Sequence, residues 1–277
     1  MGLNFLDAHT HAQFAAYDAD RKEVIERAFK GGVGIINVGT EESTSEDAVK
    51  SAYEFPGVWA SVGLHPTHAS GSSHHDKNEL RSAKSKSGEI FDYDLYKKLA
   101  KDNKVVAIGE CGLDYFRLEG DVELAKKKQK EAFLKQIELA LEVKKPLMIH
   151  CRSAFEDLIE IFKANKNLLN NPPGVIHFFT GTEDDAKNLL DLGFYFTLGG
   201  VITFVRDYDE IIKSIPVNRI LSETDAPYVT PVPHRGKRNE PVYVIEVVKR
   251  LAQIKDIAFE EMSREIMNNA TVVFDID

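Results

Sequence analysis

Histidine and carboxylate side chains recur in this sequence directly after short apolar segments. The earliest are His9 and His11, which are two positions apart. Residues at that spacing on a strand point to the same side, so the two imidazoles can bind one cation. A pair of this kind on its own is a weak signal, since it is more often accidental than a metal site. Its meaning therefore depends on which residues end the other apolar segments.

Further residues of the same types end later apolar segments, and together they form a candidate metal centre. Imidazole nitrogens and carboxylate oxygens suit zinc, manganese and iron, and carboxylates also suit magnesium. A structural zinc site closes with four ligands, so a larger set predicts a centre that performs chemistry. We expect two divalent metal ions, zinc, magnesium or manganese. The predicted ligands are His9, His11, Glu110, His150, His177 and Asp225.

Glu110 and Asp225 are the predicted catalytic residues, with Glu110 as the bridge between the two ions. The first ion is expected on the early histidine pair and Asp225, and the second on His150 and His177. Two ions roughly 3.5–4 Å apart clamp a phosphoryl group and stabilise its entering and leaving oxygens. Asp225 is placed to accept a proton from the attacking water. The alternative for Asp225 is a helix N-cap before Ala226.

Five residues near the ends of the apolar segments are candidates for substrate binding. His65 follows the third segment and can bind a substrate phosphate or support a metal ligand, or else be a buried structural histidine. Arg152 can clamp a phosphate through its planar guanidinium, although exposed arginines are common. A compact basic stretch carries Arg235, Lys237 and Arg238 after the eighth segment, where we expect phosphate contacts rather than a merely solvated loop.

Short β-branched segments alternate with amphipathic segments of helical length, and this alternation must position the candidate residues. It is typical of βα units around a parallel sheet. Eight strands close a (β/α)8 TIM barrel, an α/β fold whose active site lies at the C-terminal ends of the strands. The predicted strands are Leu3–His9, Gly34–Val38, Val58–Leu64, Val105–Glu110, Pro146–His150, Gly174–Phe178, Phe194–Leu198 and Arg219–Thr224.

The chain is expected to form a single domain over residues 1–277. That length is within the range that (β/α) barrels fill as one unit, and no linker divides the sequence. The stretch His68–Gly88 is rich in Ser, Lys, Asp and His, which predicts a solvated surface insertion after the third strand. His74 and His75 within it are expected to be exposed rather than ligands.

Composition limits the classes of partner and location. The net charge of −9 argues against a protein that coats duplex DNA, whereas a nuclease needs positive charge only at the scissile phosphate.

Cys111 and Cys151 have no CxxC spacing, so neither a disulfide framework nor a cysteine zinc site is indicated. Without a leader-like or membrane-length apolar segment, a cytoplasmic protein without membrane contact is expected. No obligate protein partner is indicated.

Eight short motifs follow one another along the chain: Asp7–His11, Gly63–Pro66, Gly109–Tyr115, His150–Arg152, His177–Gly181, Glu223–Tyr228, Pro233–Pro241 and Asn269–Ala270. In these motifs the chain resembles the TatD-type metal-dependent deoxyribonucleases. The resemblance implies a TIM barrel, two metal ions on the six predicted ligands, and hydrolysis of DNA, in several members as a 3′ to 5′ exonuclease. It makes DNA or another phosphodiester the expected partner, although some members act on other esters, including D-aminoacyl-tRNA. The insertion is the main departure and bears on substrate access.

Two other classes of protein are alternatives to a phosphodiesterase. Amidohydrolases and lactonases also use a barrel with a histidine pair on strand 1 and an aspartate on strand 8. The alternative function is therefore a metal-dependent amidohydrolase or esterase, such as a D-aminoacyl-tRNA deacylase. Several amidohydrolases bridge their metals with a carboxylated lysine on strand 4, where this chain has Glu110 and no lysine. A non-catalytic barrel with structural metals is the third hypothesis, and the surplus of ligands argues against it.

Overall fold

The computed structural model describes residues 2–71, 76–79, 88–116 and 118–276. Within these ranges one parallel sheet of eight strands follows chain order. The last strand returns to the first, because the Asp225 amide donates to the His9 carbonyl at 2.9 Å and brings the sheet close to closure. The strands are β1 Phe5–Thr10, β2 Val33–Val38, β3 Val58–Val62, β4 Val105–Asp114, β5 Leu147–Arg152, β6 Gly174–Ile176, β7 Tyr195–Leu198 and β8 Ile220–Ser222.

Helices connect successive strands, so the predicted (β/α)8 TIM barrel is confirmed. Among the described residues, none of the helices combines the length and the apolar character that crossing a membrane requires. The α-helices in the described ranges are α1 Arg21–Lys30, α2 Glu42–Glu54, α3 Pro66–Ser70, α4 Tyr93–Ala100, α5 Val122–Val143, α6 Phe155–Ala164, α7 Glu183–Asp191, α8 Asp209–Ser214, α9 Val244–Lys255 and α10 Phe259–Phe274.

Local sequence signals explain where several helices begin. The Asp121 side chain accepts from the Leu124 amide at 3.1 Å and so caps α5. Thr182 and Asp185 form a reciprocal capping box at the start of α7. Each cap satisfies amides that have no partner inside the first helical turn. These two caps therefore fix the first residues of α5 and α7, the helices that follow β4 and β6.

The strands are buried on both faces, which explains their continuous apolar sequences. The core extends from Leu6 on β1 to Ile276 after α10. Gly109 lets β4 and β5 approach closely just before Glu110, because a Cβ at Gly109 would lie 2.2 Å from the Met148 carbonyl oxygen. Its φ of 148° is also disfavoured for residues with a side chain. Tight packing of these two strands thus determines where the Glu110 carboxylate emerges.

Two predicted boundaries need correction. Strand β4 does not end at Glu110 but continues to Asp114, pairing with β5 as far as Arg152. The predicted loop does not begin at His68, because Pro66–Ser70 form a short helix with proline in its first turn. Residues 72–75 and 80–87 of the predicted insertion lie outside the described residues, and the prediction for His74 and His75 falls there.

Candidate active site

The six predicted ligands meet at the C-terminal mouth of the barrel, with the Glu110 carboxylate at the centre. His150 Nδ1 lies 2.9 Å from Glu110 Oε1, and His65 Nε2 lies 3.3 Å from the same oxygen. His177 Nε2 is 3.4 Å from Oε1, and His9 Nε2 is 3.4 Å from Oε2. Histidines from four different strand ends thus surround one buried carboxylate. Such convergence is what a cation shared among several strands requires.

His9, His11 and Asp225 form one group of ligand atoms at this mouth. The two Nε2 atoms of the histidines are 3.2 Å apart, and Asp225 Oδ1 is 3.4 Å from His11 Nε2 and 3.9 Å from His9 Nε2. Asp225 adopts the left-handed conformation at φ 55°, and residues 226–229 form a turn rather than the helix that an N-cap would begin. The carboxylate therefore faces the histidine pair.

Hydrogen bonds on the outer ring nitrogens orient two of the histidines. His11 Nδ1 donates to the Val38 carbonyl at 2.7 Å, and His177 Nδ1 donates to Glu223 at 3.1 Å. A donating Nδ1 leaves the Nε2 lone pair directed into the site. These residues fit divalent cations, because their free nitrogens converge with the oxygens of Glu110 and Asp225 in one buried space.

The grouping of ligands differs from the sequence-based expectation in one respect. We expected His150 and His177 to share an ion. In the structure His65 joins Glu110 and His150, whereas His177 joins Glu110 and His9. The rings of His150 and His177 lie 5.9 Å apart, with Glu110 contacting both. His65 is thus among the potential ligands. From the sequence we expected it to bind a substrate phosphate, to support a metal ligand or to be a buried structural histidine.

Two carboxylates that the sequence analysis did not single out contact the histidines from outside. Asp114 Oδ2 lies 3.1 Å from His150 Nε2. Glu223 accepts from His177, and it also accepts from the hydroxyl of Thr197 on β7. Carboxylates that accept from a ligand histidine fix its orientation and raise its basicity. Both residues lie inside strand-end motifs, so their position was visible in the sequence, but their partners lie on other strands.

Burial and opposing charges set the protonation states of the buried groups. Burial raises the pKa of the Glu110 carboxyl, but the charges of His65, His177 and His9 outweigh it and leave that pKa well below its usual value. Burial and the charge of His177 lower the pKa of His9 to about 4. Burial raises the pKa of Asp225, and the hydrogen bond with His11 reverses this so that the net shift is downward. The carboxylates are therefore ionised and His9 is neutral at pH 7. Burial lowers the pKa of His177, but the charges of Glu223 and Glu110 outweigh it and raise that pKa to about 10, so a cation that binds His177 must displace its proton.

The basic residues predicted to bind substrate have different surroundings. Arg235 and Lys237 are exposed, and Arg235 donates to a backbone carbonyl and lies over the Phe204 ring at 4.1 Å. Arg238, in contrast, forms two hydrogen bonds with Asp20, at 2.6 and 2.9 Å. The structure thus gives Arg238 an internal partner rather than the free position expected of a phosphate contact.

Arg152 and the described part of the insertion also lie at the rim. Arg152 stacks over the Phe116 ring with 3.7 Å between the guanidinium carbon and the ring centroid. His68 Nε2 lies 2.8 Å from Glu79, and Glu79 also accepts from the Thr40 hydroxyl. The insertion is therefore not wholly solvated, because Glu79 joins it to α3 and to the loop after β2.

Comparison with known proteins agrees with the fold and identifies the family. A family model described as TatD related DNase matches residues 6–275. The chain belongs to this family. It is a metal-dependent hydrolase, as predicted, and the resemblance stated from the sequence motifs is confirmed.

Three similar proteins show how far the likeness extends. An uncharacterized metal-dependent hydrolase from Bacillus subtilis is 37% identical over 274 residues, covering 98% of this chain and 99% of its own. A protein from Escherichia fergusonii named 3′-5′ ssDNA/RNA exonuclease is 34% identical over 253 residues, covering 88% and 87%. The crystal structure of a TatD homologue from Escherichia coli K12 is 26% identical with a TM-score of 0.82, covering both chains fully.

Proposed function

We propose that this TatD-family hydrolase is a deoxyribonuclease that cleaves phosphodiester bonds of single-stranded DNA with two divalent ions. The observation that carries the proposal is the position of Glu110, whose two carboxylate oxygens face different sets of histidines. Oε2 faces His9 and His11, and Oε1 faces His65, His150 and His177. A carboxylate with ligands on both sides suits a bridge between two cations, the arrangement that stabilises in-line phosphoryl displacement.

The two groups of residues suggest how the cations are held. His9, His11 and Asp225 would hold one ion, and His65 with His150 the other, with Glu110 between them. His177, close to both Glu110 and His9, completes the centre. When bound, such ions supply Lewis-acid polarisation of the phosphoryl oxygen and of the attacking water. Zinc and manganese suit the nitrogen-rich donor set, and magnesium suits its carboxylates.

Asp225 is the residue best placed to handle the proton of the attacking water. Its side chain is 19% exposed, against 5% for Glu110, so it faces the open mouth where water enters. Its lowered pKa keeps it ionised and able to accept a proton. In the proposed reaction the water oxygen bonds to phosphorus, one of its protons passes to Asp225, and the bond between phosphorus and the leaving 3′ oxygen of the deoxyribose breaks. The leaving oxygen takes its proton from solvent.

Charge distribution and similarity support a nucleic-acid substrate. With a net charge of −9, favourable contacts with phosphates must be local. Arg152 at the end of β5, and Arg235 and Lys237 on the loop after β8, supply exposed positive charge at the same end of the barrel as the metal ligands. The name of the Escherichia fergusonii relative adds single-stranded substrates and 3′ to 5′ polarity to the proposal.

The test is digestion of single-stranded DNA labelled at its 5′ or 3′ end, with manganese, magnesium or zinc and with EDTA. We expect metal-dependent loss of nucleotides from the 3′ end, seen as a descending ladder with the 5′ label and immediate release of the 3′ label. Cleavage inside the chain with both labels would refute exonuclease polarity. Absence of DNA cleavage together with hydrolysis of D-aminoacyl-tRNA or of a carboxylic ester or amide panel would refute the nuclease assignment.

A further inference from the structure

An exposed aromatic side chain lies beside the mouth of the barrel and is not used by the proposed chemistry. Phe116 follows the end of β4 by two residues and is 57% exposed. The guanidinium of Arg152, at the end of β5, covers one side of its ring at 3.7 Å from the centroid. A phenylalanine this exposed is unfavourable in water unless something covers its free face. The arginine holds the ring in place without hiding it.

A short chain of hydrogen bonds joins Phe116 to the metal-ligand cluster. The Phe116 amide donates to Asp114 Oδ1 at 2.9 Å, and Asp114 Oδ2 lies 3.1 Å from His150 Nε2. Arg152 lies two positions after His150 on the same strand, so both side chains point to the same side of the sheet. Asp114 and Arg152 therefore connect Phe116 to His150, on the side of the ligand cluster formed by β4 and β5.

A second pair of the same composition lies across the mouth. Phe204, which follows β7, is 37% exposed and has the Arg235 guanidinium carbon 4.1 Å from its ring centroid. The Val232 amide donates to the Thr203 hydroxyl at 2.9 Å, which ties the two loops together. The first pair lies at β4 and β5 and the second at β7 and β8. The two rings thus flank the metal-ligand cluster.

We infer that Phe116 and Phe204 are stacking surfaces for unpaired nucleobases on either side of the scissile phosphate. Bases stack on aromatic rings whatever their sequence, and an arginine beside the ring can contact the adjoining phosphate. Paired bases do not present their faces, so the surfaces select single strands. The inference rests on the proposed nuclease function. To that function the inference adds that the protein recognises the unpaired bases of the substrate as well as its phosphates.

The test compares two single-stranded oligonucleotides with the same phosphates. One is intact, and the other carries an abasic tetrahydrofuran residue at its 3′ terminus. With the manganese-loaded enzyme, Phe116→Ala should raise KM for the intact strand about tenfold and leave kcat within about twofold. The same substitution should leave KM for the abasic strand unchanged, because the 3′-terminal base, which we assign to Phe116, is missing. Phe116→Trp should restore the wild-type KM, and Phe204→Ala should raise it to a smaller extent.

Tyr53→Ala is the matched control, because Tyr53 is an aromatic residue 61% exposed at the opposite end of the barrel, near the end of α2. It should leave KM for both strands unchanged. A binding readout independent of turnover is quenching of a 3′-terminal 2-aminopurine on titration with protein in EDTA. Phe116→Ala should abolish most of the quenching.

Three results would overturn the inference. Equal loss on both strands by Phe116→Ala would mean that the ring acts through His150, with the nuclease function intact. A concentration-dependent dimer lost on the substitution, with unchanged kinetics, would make Phe116 a contact between copies of the chain. Failure of the wild-type enzyme to cleave either strand would remove the proposed function and the inference together.

Discussion

The mouth of the barrel has two parts that are held in place differently. The floor is the cluster of metal-ligand side chains, and the rim is the set of loops and side chains that surround it. At the floor, His9, Glu110 and His150 project directly from strands, and the backbone of the sheet places them. At the rim, Glu79 and Arg238 lie on loops and are held by individual side-chain bonds, to His68 and to Asp20. A strand is fixed by many cooperative hydrogen bonds, whereas a loop side chain depends on one or two. We therefore expect the floor to control the rate of reaction and the rim to control substrate affinity and local stability.

The largest expected effect is at Asp225, which follows β8 by three residues and contacts the histidines His9 and His11 of the floor. Asp225→Asn keeps the shape of the side chain but removes its capacity to accept a proton, so kcat should fall roughly 10²- to 10⁴-fold. Metal content, measured by mass spectrometry after dialysis, should decrease by less than half. The matched control is Asp191→Asn, an exposed residue at the end of α7 and away from the mouth, which should leave kcat unchanged. A kcat near the wild-type value in Asp225→Asn would remove the residue from the proton transfer.

Asp114→Asn tests whether a residue that contacts a ligand histidine affects metal binding, although it is not itself a predicted ligand. The amide retains the size of the side chain but weakens the contact with His150 Nε2, so metal affinity should fall about 10- to 100-fold. Calorimetric titration with manganese measures this change directly. Excess metal should restore much of the activity. If activity stays low at saturating metal, Asp114 acts beyond its effect on the ligand histidine.

Removal of rim charges should produce a smaller effect, expressed in affinity. Replacing both Arg235 and Lys237 with alanine should raise KM for DNA several-fold and reduce the slope of log affinity against log salt by about 1 to 1.5. Arg238→Ala removes the same charge from the same loop, but its guanidinium is bonded to Asp20. It should lower the melting temperature with little change in the salt slope. Equal slopes for all variants would mean that the loop makes no phosphate contact.

The smallest expected effect concerns the stability of the insertion. Burial raises the pKa of Glu79, but its hydrogen bond with His68 outweighs this and lowers the pKa to about 2. Burial lowers the pKa of His68, but Glu79, with Glu41 and Glu89, raises it above the ordinary 6.5. The lowered Glu79 pKa stabilises the fold above its ordinary value of 4.5, and the raised His68 pKa does so below 6.5. Both contributions are complete only between these two values.

Glu79→Gln should therefore lower the free energy of unfolding by about 2 kcal/mol near pH 5.5, and by less as the pH rises through the raised pKa of His68. Urea unfolding at several pH values measures the difference. Glu54→Gln, on the exposed surface of α2, is the control and should show no pH-dependent difference. A destabilisation that is the same at pH 5.5 and pH 9 would show that the pair contributes through packing rather than through charge.

Many residues of the floor were predictable from the sequence, because each of them ends or directly follows an apolar segment that forms a strand. A parallel strand buried on both faces is a continuous apolar segment, and the residue that follows it must lie at the barrel mouth. That relation alone placed Glu110, His150 and His177 together. It also made the eight strands and most of the helices identifiable, with errors of a few residues at their ends.

Only the tertiary structure determined which side chains contact one another between different strands of the barrel. The contacts of Asp114 with His150 and of Glu223 with His177 join residues 36 and 46 positions apart, and no local pattern specifies them. The inclusion of His65 in the ligand cluster depends on how β3 and β4 are arranged at the mouth. The sequence by itself determined which residue types end which strands. Only the folded barrel decided which nitrogen faces which oxygen, because register, twist and loop packing set those distances.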